Sequence, residues 1–265
     1  MEILITGGHS GMGLELTKLL LRIDCNVHLI VRNREREADA IKAIGPSDSV
    51  NFYYADLSNQ KAVKAVASEV SSKLDQLDGL FNNAGLLLDR AYYSKQGNEM
   101  QFEVNTLTPY ILFTELSPLL VKAKKPFVVN TATANINGKD KLDIADLKSP
   151  RKFVKLMGSY MNSKFAMVLI MNYLAKNNPT IKIRSIDPGA IKTKMTVGSA
   201  MPFFLKPVRH LFFKSPLSGA KKLYAGAFGK EFSEKSGVYI SGNRIKPLKK
   251  ELTENEFDQI MNSIE

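Results

Sequence analysis

Residues 1–23 read MEILITGGHSGMGLELTKLLLRI, and this stretch decides the fold of the 265-residue chain. The apolar run at 2–5 is typical of a short buried strand, and residues 11–23 repeat leucines at helical spacing. Between them, residues 6–13 read TGGHSGMG. The stretch therefore predicts a strand, a glycine-rich turn and a helix in direct succession.

The turn between this strand and helix has the features of an anion site. Glycines let the main chain turn tightly and approach a ligand without a Cβ in the way. The N–H groups at the start of a helix are unpaired, and the helix dipole favours negative charge there. Glycines also form ordinary turns, but here strand, turn and helix occur together. The sequence therefore favours a dinucleotide pyrophosphate, with contacts from Gly7, Ser10, Gly11, Met12 and Gly13.

Composition excludes several classes of protein. A hydrophobic content of 44% is ordinary for a globular chain with a full core. Cys25 is the single cysteine, so the chain has no internal disulfide and no thiolate metal cluster, and we predict no metal site. The single cysteine fits a reducing, cytoplasmic setting best. The start of the chain has no basic or apolar leader, which argues against a signal peptide.

Charge and hydropathy narrow the partners further. The formal net charge is +11, but the lysines and arginines form no dense basic tract, so we expect no nucleic-acid partner. A membrane-spanning helix needs about 18–20 uninterrupted apolar residues, and no stretch reaches that length.

The rest of the chain alternates β-branched runs with helical patterns, which is typical of repeated βαβ units. A helix is predicted near 58–74 with Ser58 as its N-cap, and prolines predict an irregular or kinked helix over 109–122. The polar segment 134–156 is predicted to be a surface excursion. We expect one domain over 1–265, an α/β doubly wound Rossmann-type parallel sheet of about seven strands flanked by helices. The predicted strands are 2–5, 26–31, 50–54, 78–82, 126–131, 181–186 and 237–240.

The end of the second predicted strand bears on the choice between NAD and NADP. An NAD site usually has an acidic residue here that hydrogen-bonds to the ribose 2′-OH. This chain has Val31 followed by Arg32, with Arg34 and Arg36 beyond. A guanidinium binds a 2′-phosphate through charge-assisted hydrogen bonds, whereas a carboxylate repels it. An exposed loop arginine is the alternative, and the sequence favours NADP(H) over NAD(H).

A tyrosine and a lysine lie four residues apart in Tyr160-x-x-x-Lys164. On a helix this spacing puts both on one face. A free tyrosine has a pKa of about 10, and a neighbouring ammonium is expected to lower that pKa. Hydride addition to a carbonyl forms an alkoxide that needs a proton, so the pair suits acid/base chemistry. A half-buried tyrosine beside a surface lysine is the alternative.

Further motifs follow the glycine turn in a fixed order. They are Asn82-Asn83-Ala84-Gly85 after a strand, Asn105 inside a helix, Tyr160-x-x-x-Lys164, and Pro188-Gly189-x-x-x-Thr193. From Thr6 to about Lys246 the chain resembles the short-chain dehydrogenase/reductase family. The resemblance implies an NADP(H)-dependent oxidoreductase that moves a hydride between a nicotinamide and a carbonyl or alcohol carbon. It also implies a homodimer or homotetramer built through the helices that hold Asn105 and Tyr160.

The resemblance gives individual residues a role. It implies Tyr160 as the acid/base, Lys164 on the nicotinamide ribose, and Asn105 as the anchor of a relay water. Asn82 is expected to brace the sheet rather than to contact the cofactor. Besides the glycine turn, Arg32, Tyr160 and Lys164, the implied cofactor contacts are Asp56, Leu57, Asn83, Ala84, Gly85, Pro188, Ile191 and Thr193.

Thr133 is a departure from the family pattern. It stands where the family carries a substrate-polarising serine, three residues after Asn130. A threonine still offers a hydroxyl donor, but its methyl group and stiffer χ1 can shift the oxygen. We expect Thr133 to replace the serine in function. The alternative is a packing threonine in a non-catalytic NADP(H)-binding regulatory or sensor protein.

The segment between Thr133 and Tyr160 is longer than is common in the family. Together with Asp143-x-x-Asp146-Leu147 and Ser236-Gly237-x-Tyr239 it is similar to the retinol dehydrogenase and WW-domain oxidoreductase branch. That branch implies a small-to-medium lipophilic carbonyl or alcohol substrate. Retinol itself is not expected, because retinoid-active members usually carry an N-terminal membrane anchor that is not seen here.

The segment 194–215 is rich in phenylalanine and methionine, and it follows the motif implied to close over the nicotinamide. We expect it to be the substrate lid. Two alternatives remain open for it. It can be a plain core helix, or its phenylalanines and lysines can make peripheral contact with an anionic membrane surface.

Overall fold

A computed structural model of the chain describes residues 1–192 and 213–264, and its centre is one twisted β-sheet. The strand order is β3-β2-β1-β4-β5-β6-β7-β8. Neighbours from β1 to β7 run parallel, and β8 pairs antiparallel with β7. The strands are β1 Glu2–Thr6, β2 Asn26–Val31, β3 Val50–Tyr54, β4 Gly79–Asn82, β5 Phe127–Thr131, β6 Lys182–Ile186, β7 Val238–Ser241 and β8 Arg244–Lys246.

Helices connect the strands. They are α1 Gly11–Leu21, α2 Arg34–Ile44, α3 Gln60–Lys73, α4 Met100–Phe102, α5 Thr108–Leu120, α6 Ile144–Lys148, α7 Met161–Asn177, α8 Pro216–Phe228 and α9 Glu254–Met261. Two π-helical turns, Glu103–Leu107 and Lys155–Tyr160, precede α5 and α7, and a short 3-10 turn spans Ile136–Gly138. None of the helices within residues 1–192 and 213–264 has the length and apolarity needed to cross a bilayer.

The sheet is buried on both faces, which explains why its strands read as continuous apolar runs. In β4, Leu80 belongs to one core and the next residue, Phe81, to the other, because successive side chains point to opposite faces. Helices α3, α5 and α7 cover the first face, and α1, α2 and α8 cover the second. The predicted α/β doubly wound, Rossmann-type single domain is therefore confirmed.

The strand order determines at which edge of the sheet a crevice forms. The chain goes from β1 to β2 and β3 on one side, then crosses back to β4 on the other side of β1. In such sheets the carboxyl ends of the strands on either side of the reversal form a crevice. The turn after β1 and the loops after β2, β4, β5 and β6 all lie at this edge.

Local details differ from the predictions in two places. The helix near 58–74 is capped by Asn59, whose Oδ1 accepts from the Ala62 N–H at 3.2 Å, so the prediction of Ser58 as N-cap was wrong. The Ser58 N–H and hydroxyl donate to the Asp56 carboxylate instead. The sheet also has one strand more than the seven predicted, because Gly242 and Asn243 form a tight turn that folds β8 back on β7.

Two other predictions are confirmed. The helix bracketed by prolines does begin irregularly, because the π-helical turn Glu103–Leu107 runs directly into α5 and Pro109 occupies its first turn. The segment 134–156 lies largely at the surface, and the buried side chains of Ile136 and Leu147 hold it to the core.

Candidate active site

The turn after β1 has the backbone geometry that its glycines predict. Gly7 and Gly11 have φ values of +68° and +53°, in the left-handed region that favours glycine. A Cβ at Gly13 would lie 2.2 Å from the Gly7 carbonyl oxygen, so only glycine allows α1 to start this close to the turn. The Ser10 side chain makes no capping hydrogen bond, and the first turn of α1 has no acidic residue. The first N–H groups of α1 are therefore left for an anionic ligand.

The loop after β4 is tied to this turn by hydrogen bonds. The Thr6 hydroxyl accepts from the backbone N–H groups of Asn83 and Ala84, each at 3.0 Å. The Asn83 side-chain amide donates to the Thr6 carbonyl oxygen at 3.0 Å. Asn82 points away from the opening and donates to Asn130 Oδ1 at 2.8 Å across the sheet. Asn82 thus braces β4 against β5, as the sequence predicted, and Asn83 fixes the wall of the crevice.

A cleft of about 460 Å³ lies between the glycine turn, the end of β2 and the loops after β3 and β4. Most of the predicted cofactor residues line it: Gly7, Ser10, Gly11, Met12, Gly13, Arg32, Leu57, Asn83, Ala84 and Gly85. Several other lining residues had not been predicted from the sequence, among them His9, Ile30, Asn33, Ala55, Leu86 and Val104. Most of these adjoin a predicted contact along the chain, which was the signal available for them.

Asp56 interacts with Arg32 but is not itself among the residues that line the cleft. Burial raises the pKa of Asp56, but hydrogen bonds from Ser58 and the charge of Arg32 outweigh burial and leave that pKa below its ordinary value. Arg36 also lines the cleft, while its Nη1 donates to Asp39 Oδ2 at 2.9 Å. Arg34 instead lies over the Tyr54 ring, outside the cleft. The end of β2 thus presents two guanidinium groups to a ligand.

The catalytic residues predicted from the sequence meet next to the cleft. Tyr160 ends a π-helical turn, and Lys164 lies in the first turn of α7. The Tyr160 hydroxyl lies close to the Thr133 side chain. Lys164 Nζ donates to the Thr131 carbonyl oxygen at 2.8 Å, and a Cβ built on Gly85 would lie 3.3 Å from the same Nζ. Gly85 therefore lies between Lys164 and the cleft that it also lines.

Asn105 lies in the π-helical turn Glu103–Leu107 and is fully buried. Its Oδ1 accepts from the Leu86 N–H at 2.7 Å, and its Nδ2 donates to the Leu86 carbonyl oxygen at 2.9 Å and to Ser163 Oγ at 3.0 Å. The Ser163 hydroxyl in turn donates to the Tyr160 carbonyl oxygen at 2.7 Å. The amide thus joins the cleft wall to the helix that carries Tyr160, and the anchoring of a relay water by Asn105 stays a prediction.

The structure corrects one electrostatic expectation. Burial raises the pKa of Tyr160 to about 12; the Thr133 side chain opposes this rise, and the Asp187 carboxylate adds to it. Burial also lowers the pKa of Lys164 to about 8. The expected net lowering of the Tyr160 pKa was therefore wrong, because the loss of water around the phenol outweighs the effect of the lysine, whose Nζ donates to the Thr131 carbonyl oxygen.

The loop after β6 reaches the same edge of the sheet. Pro188 is buried, and Gly189 has a φ of +84° with its N–H donating to Asp187 Oδ1 at 2.7 Å. Ile191 and Met12 both lie against Gly219 of α8, where a Cβ would come within 3.0 Å of Ile191 Cγ1 and 2.5 Å of Met12 Sδ. This contact brings Ile191 to the glycine turn.

Part of the prediction for this loop cannot be placed in the structure. Thr193, and with it most of the predicted lid over 194–215, falls outside the described residues 1–192 and 213–264. Lys214, near the end of that segment, returns to the loop after β6, where its N–H donates to the Ala190 carbonyl oxygen at 2.8 Å.

Comparison with known proteins agrees with this geometry. The chain is 28% identical to human retinol dehydrogenase 14 over 268 residues, which covers 93% of this chain and 79% of the relative. It is 27% identical to zebrafish (Danio rerio) polyprenol dehydrogenase over 255 residues, covering 91% of this chain and 78% of the relative.

Solved structures share the fold. Salutaridine reductase from Papaver somniferum superposes with a TM-score of 0.69 at 19% identity, covering 90% of this chain and 98% of that one. The NADP active-site complex of Pseudomonas aeruginosa RhlG gives a TM-score of 0.70 at 24% identity, covering 90% and 93%. Residues 2–201 match the family model described as short chain dehydrogenase. The chain therefore belongs to the short-chain dehydrogenase family of oxidoreductases, and it resembles the retinol dehydrogenase branch.

Proposed function

We propose that the protein is an NADP(H)-dependent oxidoreductase that transfers a hydride between a nicotinamide and a carbonyl or alcohol carbon of a lipophilic substrate. One observation carries the proposal: the Tyr160 hydroxyl lies close to the Thr133 side chain, and the buried Lys164, one helical turn on, adjoins the glycine-turn cleft at Gly85. The arrangement places two hydroxyl donors next to a site shaped for a dinucleotide.

The residues around the cleft fit NADP(H). The left-handed turn and the uncapped start of α1 suit a pyrophosphate, and the absence of a Cβ at Gly13 lets α1 begin tight against that turn. Arg32 and Arg36 line the cleft at the end of β2, where a carboxylate would favour NAD. We propose that Arg32 holds the 2′-phosphate, because a guanidinium forms charge-assisted hydrogen bonds with phosphate oxygens.

Tyr160 and Thr133 suit carbonyl reduction. When bound, NADPH supplies the hydride. With a pKa of about 12, Tyr160 is protonated near neutral pH and is ready to donate a proton to the alkoxide oxygen. The Thr133 hydroxyl offers a second donor to the same oxygen, which polarises the carbonyl. The ammonium of Lys164 stabilises the phenolate that proton donation leaves behind.

The substrate class rests on the relatives. Relatives over most of the chain are named for retinol and polyprenol, which are lipophilic alcohols. We propose a small-to-medium lipophilic aldehyde, ketone or alcohol as the substrate. The cytoplasmic setting stays a prediction. The homodimer or homotetramer also stays a prediction, and native mass spectrometry tests this oligomeric state.

The test is NADPH oxidation across a panel of hydrophobic aldehydes and ketones, followed at 340 nm. Wild-type turnover of at least one substrate is expected, and Tyr160→Phe should lose it while still binding NADPH. Tyr173→Phe is the matched control. Tyr173 is half-buried like Tyr160, but it lies on α7 and stacks on Phe257, with a ring separation of 4.5 Å. Full turnover by Tyr160→Phe would remove the phenol from the reaction.

The alternative is a non-catalytic protein that binds NADP(H) as a regulator or sensor. Thr133, in place of the usual serine, is the observation that favours it. The proximity of the Thr133 side chain to the Tyr160 hydroxyl favours catalysis instead, because the threonine lies where the serine would act. Turnover by Thr133→Ser with a reduced but measurable turnover in Thr133→Ala supports the enzyme. NADPH binding with no turnover of any panel member supports the alternative.

A further inference from the structure

We infer that Tyr239 is a positioning residue for this reaction. Its hydroxyl holds the main chain of Thr133 so that the threonine hydroxyl stays beside the hydroxyl of Tyr160. Tyr239 lies on β7, and its hydroxyl donates to the Thr133 carbonyl oxygen at 2.8 Å. The inference rests on the proposed function, because Thr133 matters to turnover only if it acts as a donor to the substrate.

The loop that follows β5 is held by one hydrogen bond at each of three successive residues. The Thr131 carbonyl oxygen accepts from Lys164 Nζ at 2.8 Å. The Ala132 N–H donates to the Ile186 carbonyl oxygen at 2.8 Å. The Thr133 carbonyl oxygen accepts from Tyr239. The hydrogen bond from Tyr239 is thus the one that holds Thr133, whose side chain lies beside Tyr160.

Tyr239 is held rigidly enough to serve as an anchor. Its side chain is 1% exposed. It pairs with Ser185 on β6 and with Lys246 on β8, so its strand is fixed on both sides. Burial raises the pKa of the Tyr239 hydroxyl to about 12, so it stays a donor across the working pH range.

A threonine depends on its main chain more than a serine does. The branched Cβ restricts χ1, so the direction of Oγ1 follows the backbone. A small shift of the Thr133 carbonyl therefore moves the hydroxyl away from Tyr160. This gives a physical reason why a chain with threonine at this position benefits from an anchor on its carbonyl oxygen.

The same strand also holds the loop after β6. The Ser241 hydroxyl, close to that of Tyr239, donates to Asp187 Oδ2 at 2.8 Å. Asp187 Oδ1 accepts from the Gly189 N–H at 2.7 Å. Two neighbouring side chains of β7 thus fix both the loop that carries Thr133 and the loop after β6.

A double-mutant cycle of Tyr239→Phe with Thr133→Ala tests the inference. Tyr239→Phe removes only the hydroxyl, and we expect kcat to fall about three- to tenfold, the effect of one hydrogen bond, with the Kd for NADPH unchanged. In the Thr133→Ala background the same change should lower kcat by less than about twofold, because the positioned hydroxyl is already gone. Tyr53→Phe is the matched control. Tyr53 is also a buried strand tyrosine, 3% exposed, but it lies on β3 at the opposite edge of the sheet.

An activity-independent readout accompanies the cycle. Hydrogen exchange measured by mass spectrometry should be faster in peptides covering 131–137 of Tyr239→Phe and unchanged in those covering 79–85. Equal fold losses of kcat in both backgrounds, or unchanged exchange in 131–137, would overturn the inference. Faster exchange in a protein that turns over no substrate, or full turnover by Thr133→Ala, would instead count against the proposed function.

Discussion

The buried ammonium of Lys164 should set the pH limit of carbonyl reduction. Its side chain is 3% exposed, and burial lowers its pKa to about 8, whereas Tyr160 has a pKa of about 12. A lysine is charged below its pKa and loses its charge as the pH rises through that value. The phenol stays protonated over this range, so Lys164 is the group that titrates.

The size of the effect follows from that pKa. With a pKa of about 8 the charged fraction of Lys164 is about 0.9 at pH 7 and about 0.1 at pH 9. Because the charge stabilises the phenolate formed when Tyr160 donates its proton, kcat/KM for reduction should fall about tenfold between these two pH values. Initial rates at saturating NADPH and low substrate, in buffers of constant ionic strength, measure this fall.

Lys164→Arg is the control for this assignment. A guanidinium keeps its charge over the whole range, so the fall near pH 8 should disappear even if the absolute rate is lower. Melting temperatures recorded at each pH separate titration from unfolding. A wild-type profile that stays flat to pH 10, or an arginine variant that keeps the same inflection, would refute the reasoning.

Three further predictions follow from single contacts. Gly13→Ala should raise the Kd for NADPH, measured by calorimetry, by at least about tenfold, because the alanine Cβ would lie 2.2 Å from the Gly7 oxygen and displace the turn. Unchanged affinity would contradict the placement of the pyrophosphate. Arg32→Ala should raise the Kd for NADPH about tenfold and that for NADH less than about twofold, and equal losses would count against 2′-phosphate binding. Arg184→Met should lower the free energy of unfolding in urea by about 2–4 kcal/mol. Arg184 Nη1 donates to the Gly226 carbonyl oxygen at 2.6 Å and to that of the next residue at 3.0 Å, and an unchanged midpoint would show that these carbonyls find other donors.

Features with local signals were predictable from the sequence. The glycine turn, the strands from β1 to β7 and the cleft residues near them follow from patterns a few residues long. The eighth strand was missed because Arg244–Lys246 is only three residues long. Its signal was present in Gly242-Asn243, which takes φ values of +59° at both residues, as a tight hairpin requires.

Features that depend on distant contacts were not predictable. Spacing along α7 places Lys164 near Tyr160, but it does not show that Nζ points to Thr131 on β5. The pKa of Tyr160 depends on its burial and on Asp187, neither of which the motif contains. Tyr239 and Thr133 are 106 residues apart, and only the fold brings them together.

Transfer of deuterium from labelled NADPH to product tests the central claim most directly. The protein is incubated with an aldehyde or ketone of the panel that it reduces and with NADPH deuterated at C4 on one face or the other, and the alcohol product is analysed by mass spectrometry. We predict one deuterium on the carbinol carbon from one of the two labelled forms, and no labelled product with Tyr160→Phe. Product that carries no deuterium from either form would contradict hydride transfer at this site.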